Sequence, residues 1–496
     1  MVPSERITAV NGAPVRLDGD YILYWMTATR RPHYNFGLQR AVEHAVRLAK
    51  PLVVLEPLRL SHRWASARFH QFAVDGMRDN AQGFQRAGVR YHPYLERSEG
   101  EGRGLLAALA AQAAVVVTDN FPCFFLPRMV AAAGVALPVC LEAVDANGLL
   151  PLRAIPQVHV TAYSFRRALQ AALPAHLGNR PLADPLAAMQ GVPPGLPAGV
   201  TRRWPDALRW LDGDGSFDAL PIDHRVGPVK QRGGYRAARE VLQRFLAERM
   251  LDYGSGRNHP DRDAASGLSP YLHWGHVSAH EVFDAVMTRE GWLGDTPRRA
   301  TGAREGWWGV GAIAEAFLDQ LVTWRELGFN FTSKRGDYDT FESLPPWAIA
   351  TLDAHTADAR PWVYDLDALE KASTHDPLWN AAQRQLVREG GMHNYLRMLW
   401  GKKILQWSAT PREALAAMIE LNNKYALDGR DPNSYSGIFW VLGRYDRPWF
   451  PERPIFGVVR YMTSENAARK LRLREYLKRY DTPDDEGPRA NGNLFS

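Results

Sequence analysis

The chain has 496 residues, with 60 Lys and Arg against 54 Asp and Glu, a formal charge of +6. Apolar residues are 46% and charged residues 23%, the balance of a globular protein rather than a disordered or fibrous one. Two cysteines, Cys123 and Cys140, argue against a disulfide scaffold or a Cys-based metal site, and no uncharged apolar run is long enough to span a membrane. The opening residues lack the apolar core of a signal peptide, so a cytoplasmic location is expected. The length suits two or three domains, and the mild positive balance permits contact with a phosphate backbone. Sixteen tryptophans leave some for ring stacking beyond the core.

Residues 21–26 read as a buried strand, 36–49 as a helix and 51–58 as a second strand. Helices follow at 69–87, 105–113 and 125–133, and strands at 89–94, 115–119 and 137–144. Strands alternating with helices predict an α/β domain, a doubly wound parallel sheet over 1–175. Ligands of such sheets sit beyond the carboxyl ends of the strands. Thr118, Asp119, Asn120, Asp145 and Asn147 fall there, and serve either as ligand contacts or as loop caps. No G-x-G-x-x-G follows the first strand, so a dinucleotide fingerprint is absent.

Residues 176–235 have the Pro, Gly and Ala content of an interdomain linker, with short helices packed on its neighbours. From 236 to 480 the pattern is almost wholly helical, and 481–496 reads as a disordered tail. Within the helical part, Trp400 and Trp407 are seven residues apart, so a helix places them on one face, roughly 10 Å apart along its axis. The polar, turn-rich LDGRDPN lies in an otherwise apolar region, where buried Asp and Arg need partners or a ligand.

The words THDPLWNAAQ, MHNYLRMLWGKKILQW, YALDGRDPNSYSGIFW and RPIFGVVRYM, with NHPDRDAASGLSPYLHWGHVS upstream, come in a definite order over 258–462. This stretch resembles the flavin-binding core of the photolyase and cryptochrome family, most of all its class II branch, the cyclobutane pyrimidine dimer photolyases. The resemblance implies an all-α FAD-binding catalytic domain over 236–480 behind the α/β antenna-type domain. In that family, residues matching Tyr253, Arg257 and the SGLSP segment, Ser266, Gly267, Leu268 and Ser269, lie near the FAD diphosphate. Ser266 and Ser269 are also the candidate helix caps there. Arg397 and Asp428 match a charge pair over the isoalloxazine ring, Asn422 faces flavin N5, and Gly429 and Asp431 complete the pocket. Trp379, Trp400 and Trp407 match an electron relay from the surface to the flavin.

The same resemblance implies a flipped pyrimidine dimer of damaged DNA as substrate. Trp324 and Trp440 match aromatic walls, Met398 a sulfur contact, Arg447 an arginine filling the hole in the duplex, and Lys402 part of the basic rim. Gln320 stands where the family has Glu, and Gly267 where it has Asn. Gln320 and Trp324, four apart, are expected on one helical face. TATRRPHYN at 27–35 replaces a more acidic segment, which bears on whether a deazaflavin antenna binds. A monomer is expected. Three activities fit these residues: light-driven dimer repair, a cryptochrome-like flavoprotein that signals or repairs another lesion, and a light-independent flavoenzyme.

Overall fold

The computed structural model describes residues 1–189, 192–213, 215–294 and 299–481. Its first part is a six-stranded sheet in the order β1-β6-β5-β2-β3-β4, formed by β1 (Ile7–Ala9), β2 (Tyr21–Trp25), β3 (Leu52–Leu58), β4 (Arg90–Leu95), β5 (Ala113–Asp119) and β6 (Leu141–Val144). The helices α1 (Phe36–Leu48), α2 (Ala67–Arg86), α3 (Leu105–Ala110) and α4 (Leu126–Ala136) connect the parallel strands. β2 and β5 are buried at every residue, as continuous apolar runs must be when helices cover both faces. β1 pairs antiparallel with β6, so the sheet is not wholly parallel. That strand is three residues long and partly exposed, which leaves no apolar run to reveal it.

Asp119, at the end of β5, is a structural pin. Its carboxylate accepts the N–H groups of Thr27, Ala28 and Thr29 at 2.7–3.0 Å and the Tyr24 hydroxyl at 2.7 Å. Asp145 likewise accepts the N–H groups of Asn147 and Leu152. Both close loops, the second of the two roles open to them.

The linker is docked. Its short helices, Ala198–Arg203 and Leu208–Asp212, lie by α3 and α2, the Trp204 indole donates to the Glu101 carbonyl, and the Ala207 N–H donates to Pro93 of β4. From Tyr235 onward the described residues form helices, among them Pro377–Glu389, Asn394–Trp407, Pro411–Tyr425 and Pro432–Val441. The largest apolar core spans both parts, packing Phe69, Phe72 and Leu149 with Tyr271, Val282 and Phe317. Arg68 of α2 crosses the same boundary. Its buried guanidinium donates to the carbonyls of Val387 and Tyr425, at the ends of two helices of the second part. Those are among the last carbonyls, which a helix cannot satisfy by itself. Among the described residues no helix is long and apolar enough to cross a membrane. The tail expected to be disordered lies, beyond Asp481, outside the described residues.

Candidate functional site

Two segments far apart in sequence are tied together. The Trp274 indole donates to the Leu427 carbonyl at 2.9 Å, and His273 Nδ1 lies 3.1 Å from Asp431. SGLSPYLHW and LDGRDPN therefore share one site. Asp431 also caps the helix Pro432–Val441 through the Asn433 N–H. Burial pushes the Asp431 carboxyl up, but the bond to His273 and nearby cations outweigh it and hold the carboxyl below its ordinary range. Gly429 sits where a Cβ would meet the Asn422 and Ala426 carbonyls at 2.8 and 3.0 Å, so only glycine closes this turn.

Arg397 and Asp428 form the expected pair, 3.1 Å apart and partly open to solvent. Asn422 is buried, its side-chain amide nitrogen donating to the Ser434 hydroxyl and to Asn423, and its side-chain oxygen has no hydrogen-bond partner among the described residues. The five-residue helix Ser269–His273 corrects the capping expectation. Its cap position is Leu268, and among the described residues no side chain caps its first N–H groups. Ser266 accepts only the Leu268 N–H, at 3.4 Å. Gly267 has φ of +71°, the left-handed region that glycine and asparagine tolerate best, so either residue would suit this backbone. Tyr253 is buried against Phe245 and Phe317, and Arg257 lies over its ring at 5.1 Å with a hydrogen bond to the Ala316 carbonyl. The uncapped N–H groups, the open charge pair and the free amide oxygen are a donor and acceptor set that fits FAD.

The three tryptophans converge. Trp379, Trp400 and Trp407 are all buried, and the rings of Trp379 and Trp407 meet edge-on at 5.6 Å. The Trp379 indole donates to the Trp400 carbonyl at 3.0 Å. The Trp400 indole donates to the Gln383 amide oxygen at 2.8 Å, and Gln383 is fully buried. The helix Asn394–Trp407 carries Arg397, Trp400 and Trp407, so it joins the charge pair to the relay.

The residues expected around a lesion are arranged differently. Trp324 and Trp440 stack on each other, with centroids 4.5 Å apart and planes at 16°. A base held between two rings needs two gaps of about 3.5 Å each, so these rings form one platform rather than opposite walls. Gln320 and Trp324 do not pair along an α-helix. Residues Asp319–Trp324 form a π-helical stretch, and it is Asp319, five residues back, that accepts the Trp324 indole N–H. Asp319 is held in turn by Arg166 at 2.9 Å. Gln320 is half-buried and its amide makes no hydrogen bond among the described residues. Met398 is half-buried, packed on the core around Trp379.

Lys402 is not on a basic rim. It is 1% exposed and its ammonium donates to the Val441 carbonyl. Gly401 explains this: a Cβ there would meet Val441 at 2.6 Å, so the two helices approach closely enough to enclose the next side chain. Lys403 and Arg444 are buried as well, the first beside Asp376 and the second over Phe331. Surface charge comes instead from the 447–461 arm. There Arg447 and Arg460 flank exposed Trp449, at 5.7 and 5.2 Å, and Arg453 lies over Tyr461 at 4.0 Å.

A cavity lies at the carboxyl ends of β2, β3 and β5. Arg30, Arg59, His62, Phe124 and Phe125 line it with Arg430 from the helical part. Burial pushes the His62 imidazole down to about 3, so it is neutral at working pH. The sequence marked the place but not these residues; the aromatic run at 121–125 and the basic SHR after β3 were the available signals.

No family model matches the chain. It is 35% identical over 485 residues to a deoxyribodipyrimidine photo-lyase of Methanothermobacter thermautotrophicus, covering 97% of this chain and 98% of that protein. It is 32% identical over 471 residues to one of Potorous tridactylus, covering 93% and 81%. Among solved structures, a class III photolyase of Agrobacterium tumefaciens has the same fold, with a TM-score of 0.66 at 17% identity over 94% of this chain and 87% of that one. Sequence and fold agree, and the chain belongs to the photolyase and cryptochrome family, among the deoxyribodipyrimidine photo-lyases.

Proposed function

We propose that the protein is a class II-like deoxyribodipyrimidine photo-lyase that binds FAD and damaged DNA and splits cyclobutane pyrimidine dimers in light. FAD, when bound, supplies the light-driven electron for ring opening. The division into a 1–175 antenna-type domain, a 176–235 linker and a 236–480 catalytic domain belongs to the same reading, as do a monomeric state and a cytoplasmic location.

The observation that carries it is the joining of the two pocket segments, at Trp274–Leu427 and His273–Asp431, beside a helix that also bears two of the buried tryptophans, Trp400 and Trp407. The open N–H groups at Ser269 would hold the diphosphate. Arg397 and Asp428 would lie against the ring system, and Asn422 would offer it an amide. Trp379, Trp400 and Trp407 would pass electrons inward by ring-to-ring steps.

The Trp324–Trp440 platform would stack one face of a flipped base, where stacking is worth about 1–3 kcal/mol. Gln320, with its free amide, would donate to a thymine carbonyl. Arg447 and its exposed neighbours on the arm would meet phosphates and the opened duplex. The cavity at the strand ends, aromatic and cationic together, suits a planar anionic antenna such as a deazaflavin. Reduced holoprotein illuminated with a dimer-containing oligonucleotide should lose the lesion. Intact lesions after illumination, with FAD bound and the relay working, would reject repair and favour the cryptochrome-like reading.

A further inference from the structure

The aromatic contacts do not end at Trp407. Its ring meets Tyr364 at 5.5 Å and His375 at 5.2 Å, both edge-on. Tyr364 is fastened in place, because its N–H donates to the Trp407 carbonyl at 3.1 Å. Its hydroxyl oxygen accepts the backbone N–H of His375 at 3.0 Å and lies 2.7 Å from His375 Nδ1. With that acceptance fixed, the hydroxyl's own proton is directed at Nδ1, which is an acceptor in the tautomer protonated at Nε2. His375 is exposed, while Tyr364 is half-buried between it and Trp407. The Lys403 ammonium lies 5.4 Å from the centre of the Trp407 ring and raises the energy of a positive charge there.

We propose that Tyr364 is a further electron donor of the relay, beyond Trp407, with His375 as its proton acceptor. One electron passes from Tyr364 to the oxidised Trp407 ring. The phenolic proton moves along the 2.7 Å bond to Nδ1. The products are a neutral indole, a neutral tyrosyl radical and a His375 imidazolium, so one positive charge leaves Trp407 and one appears on His375. A phenol without an acceptor would have to hold the positive charge itself, so the hydrogen bond is what makes this step downhill. The oxidised Trp407 comes from the relay described above, and the inference rests on that reading.

The test uses FAD-loaded protein illuminated without added reductant, with transient absorption and electron paramagnetic resonance of frozen samples. The native protein should give a neutral tyrosyl signal that narrows when the tyrosines are ring-deuterated. Tyr364→Phe, which removes one oxygen atom, should abolish that signal, leave a tryptophanyl radical and speed charge return by roughly tenfold or more. His375→Leu should keep the tyrosine but lower the tyrosyl yield by roughly tenfold. The absorption spectrum of the bound flavin reports that each variant still folds. A native signal that is tryptophanyl alone, or charge return unchanged in both variants, overturns the tyrosine step and leaves the relay standing. No flavin photoreduction in the native protein overturns the relay itself and this step with it.

Discussion

Replacing Trp400 with Phe separates what its indole does for stability from what it does for electron transfer. The Trp400 N–H reaches the Gln383 amide oxygen at 2.8 Å, and Gln383 is fully buried. Phenylalanine leaves that oxygen without a donor, and a buried acceptor left unpaired costs roughly 1–3 kcal/mol. For a unit of this size each kcal/mol lowers the melting temperature by roughly 2–4 °C, so the single variant should melt about 4–8 °C lower at the middle of that range. The double variant Trp400→Phe with Gln383→Leu removes both partners. It should regain only part of the loss: replacing the hydrogen-bonded pair by apolar groups is nearly neutral, but the Gln383 amide N–H also donates to the Glu370 carbonyl at 3.3 Å, and leucine leaves that carbonyl without its donor. Photoreduction of bound FAD should be lost in both proteins, because phenylalanine is far harder to oxidise than tryptophan. Calorimetry and illumination of the same samples give both readouts. Native-rate photoreduction in either variant would show that electrons bypass Trp400, and photoreduction recovered only in the double variant would mean that the single one failed through its fold.

Gln320→Glu should raise single-turnover dimer repair, by up to roughly a hundredfold if the carboxyl is protonated and less if ionised; a slower variant would mean that Gln320 does not face the lesion. Arg447→Ala should weaken binding of damaged DNA and reduce the slope of log affinity against log salt by about 1, and an unchanged slope would remove Arg447 from the phosphate contacts. Burial pushes Lys402 down from 10.5 to about 7. The unfolded chain then binds a proton that the folded one releases, so its contribution to stability rises with pH between about 7 and 10.5. Lys402→Met should flatten that rise in urea unfolding measured across this range, and a rise equal to the native protein's would refute the assignment. Gly267→Asn should fold with little loss, whereas Gly267→Val, β-branched at positive φ, should lose roughly 1–2 kcal/mol or more.

Much of this was legible in the sequence because it rests on local patterns. The core strands are unbroken apolar runs, and the pocket words are long and ordered. What was hidden depends on packing. Lys402 lies on a helix that is apolar nearly all round, so no periodicity says which way it points; the close approach at Gly401 decides it. The π-helical stretch at Asp319–Trp324 shifts the partner of Trp324 from four residues away to five. The positive φ of Gly267 is a backbone property that its place in the sequence does not announce. The Tyr364–His375 pair joins two loop residues eleven apart, and no repeat or spacing announces it.

Arg68 has a consequence for how the molecule comes apart. One guanidinium of the sheet-bearing half ends two helices of the other half, and Phe69 and Phe72 beside it sit in the shared core. The boundary visible in the sequence is therefore not a line of weakness. A fragment beginning near residue 236 would expose the Val387 and Tyr425 carbonyls and strip aromatic rings from its own interior. The helical half is not a portable flavin module, and grafting it onto another carrier would require α2 to travel with it.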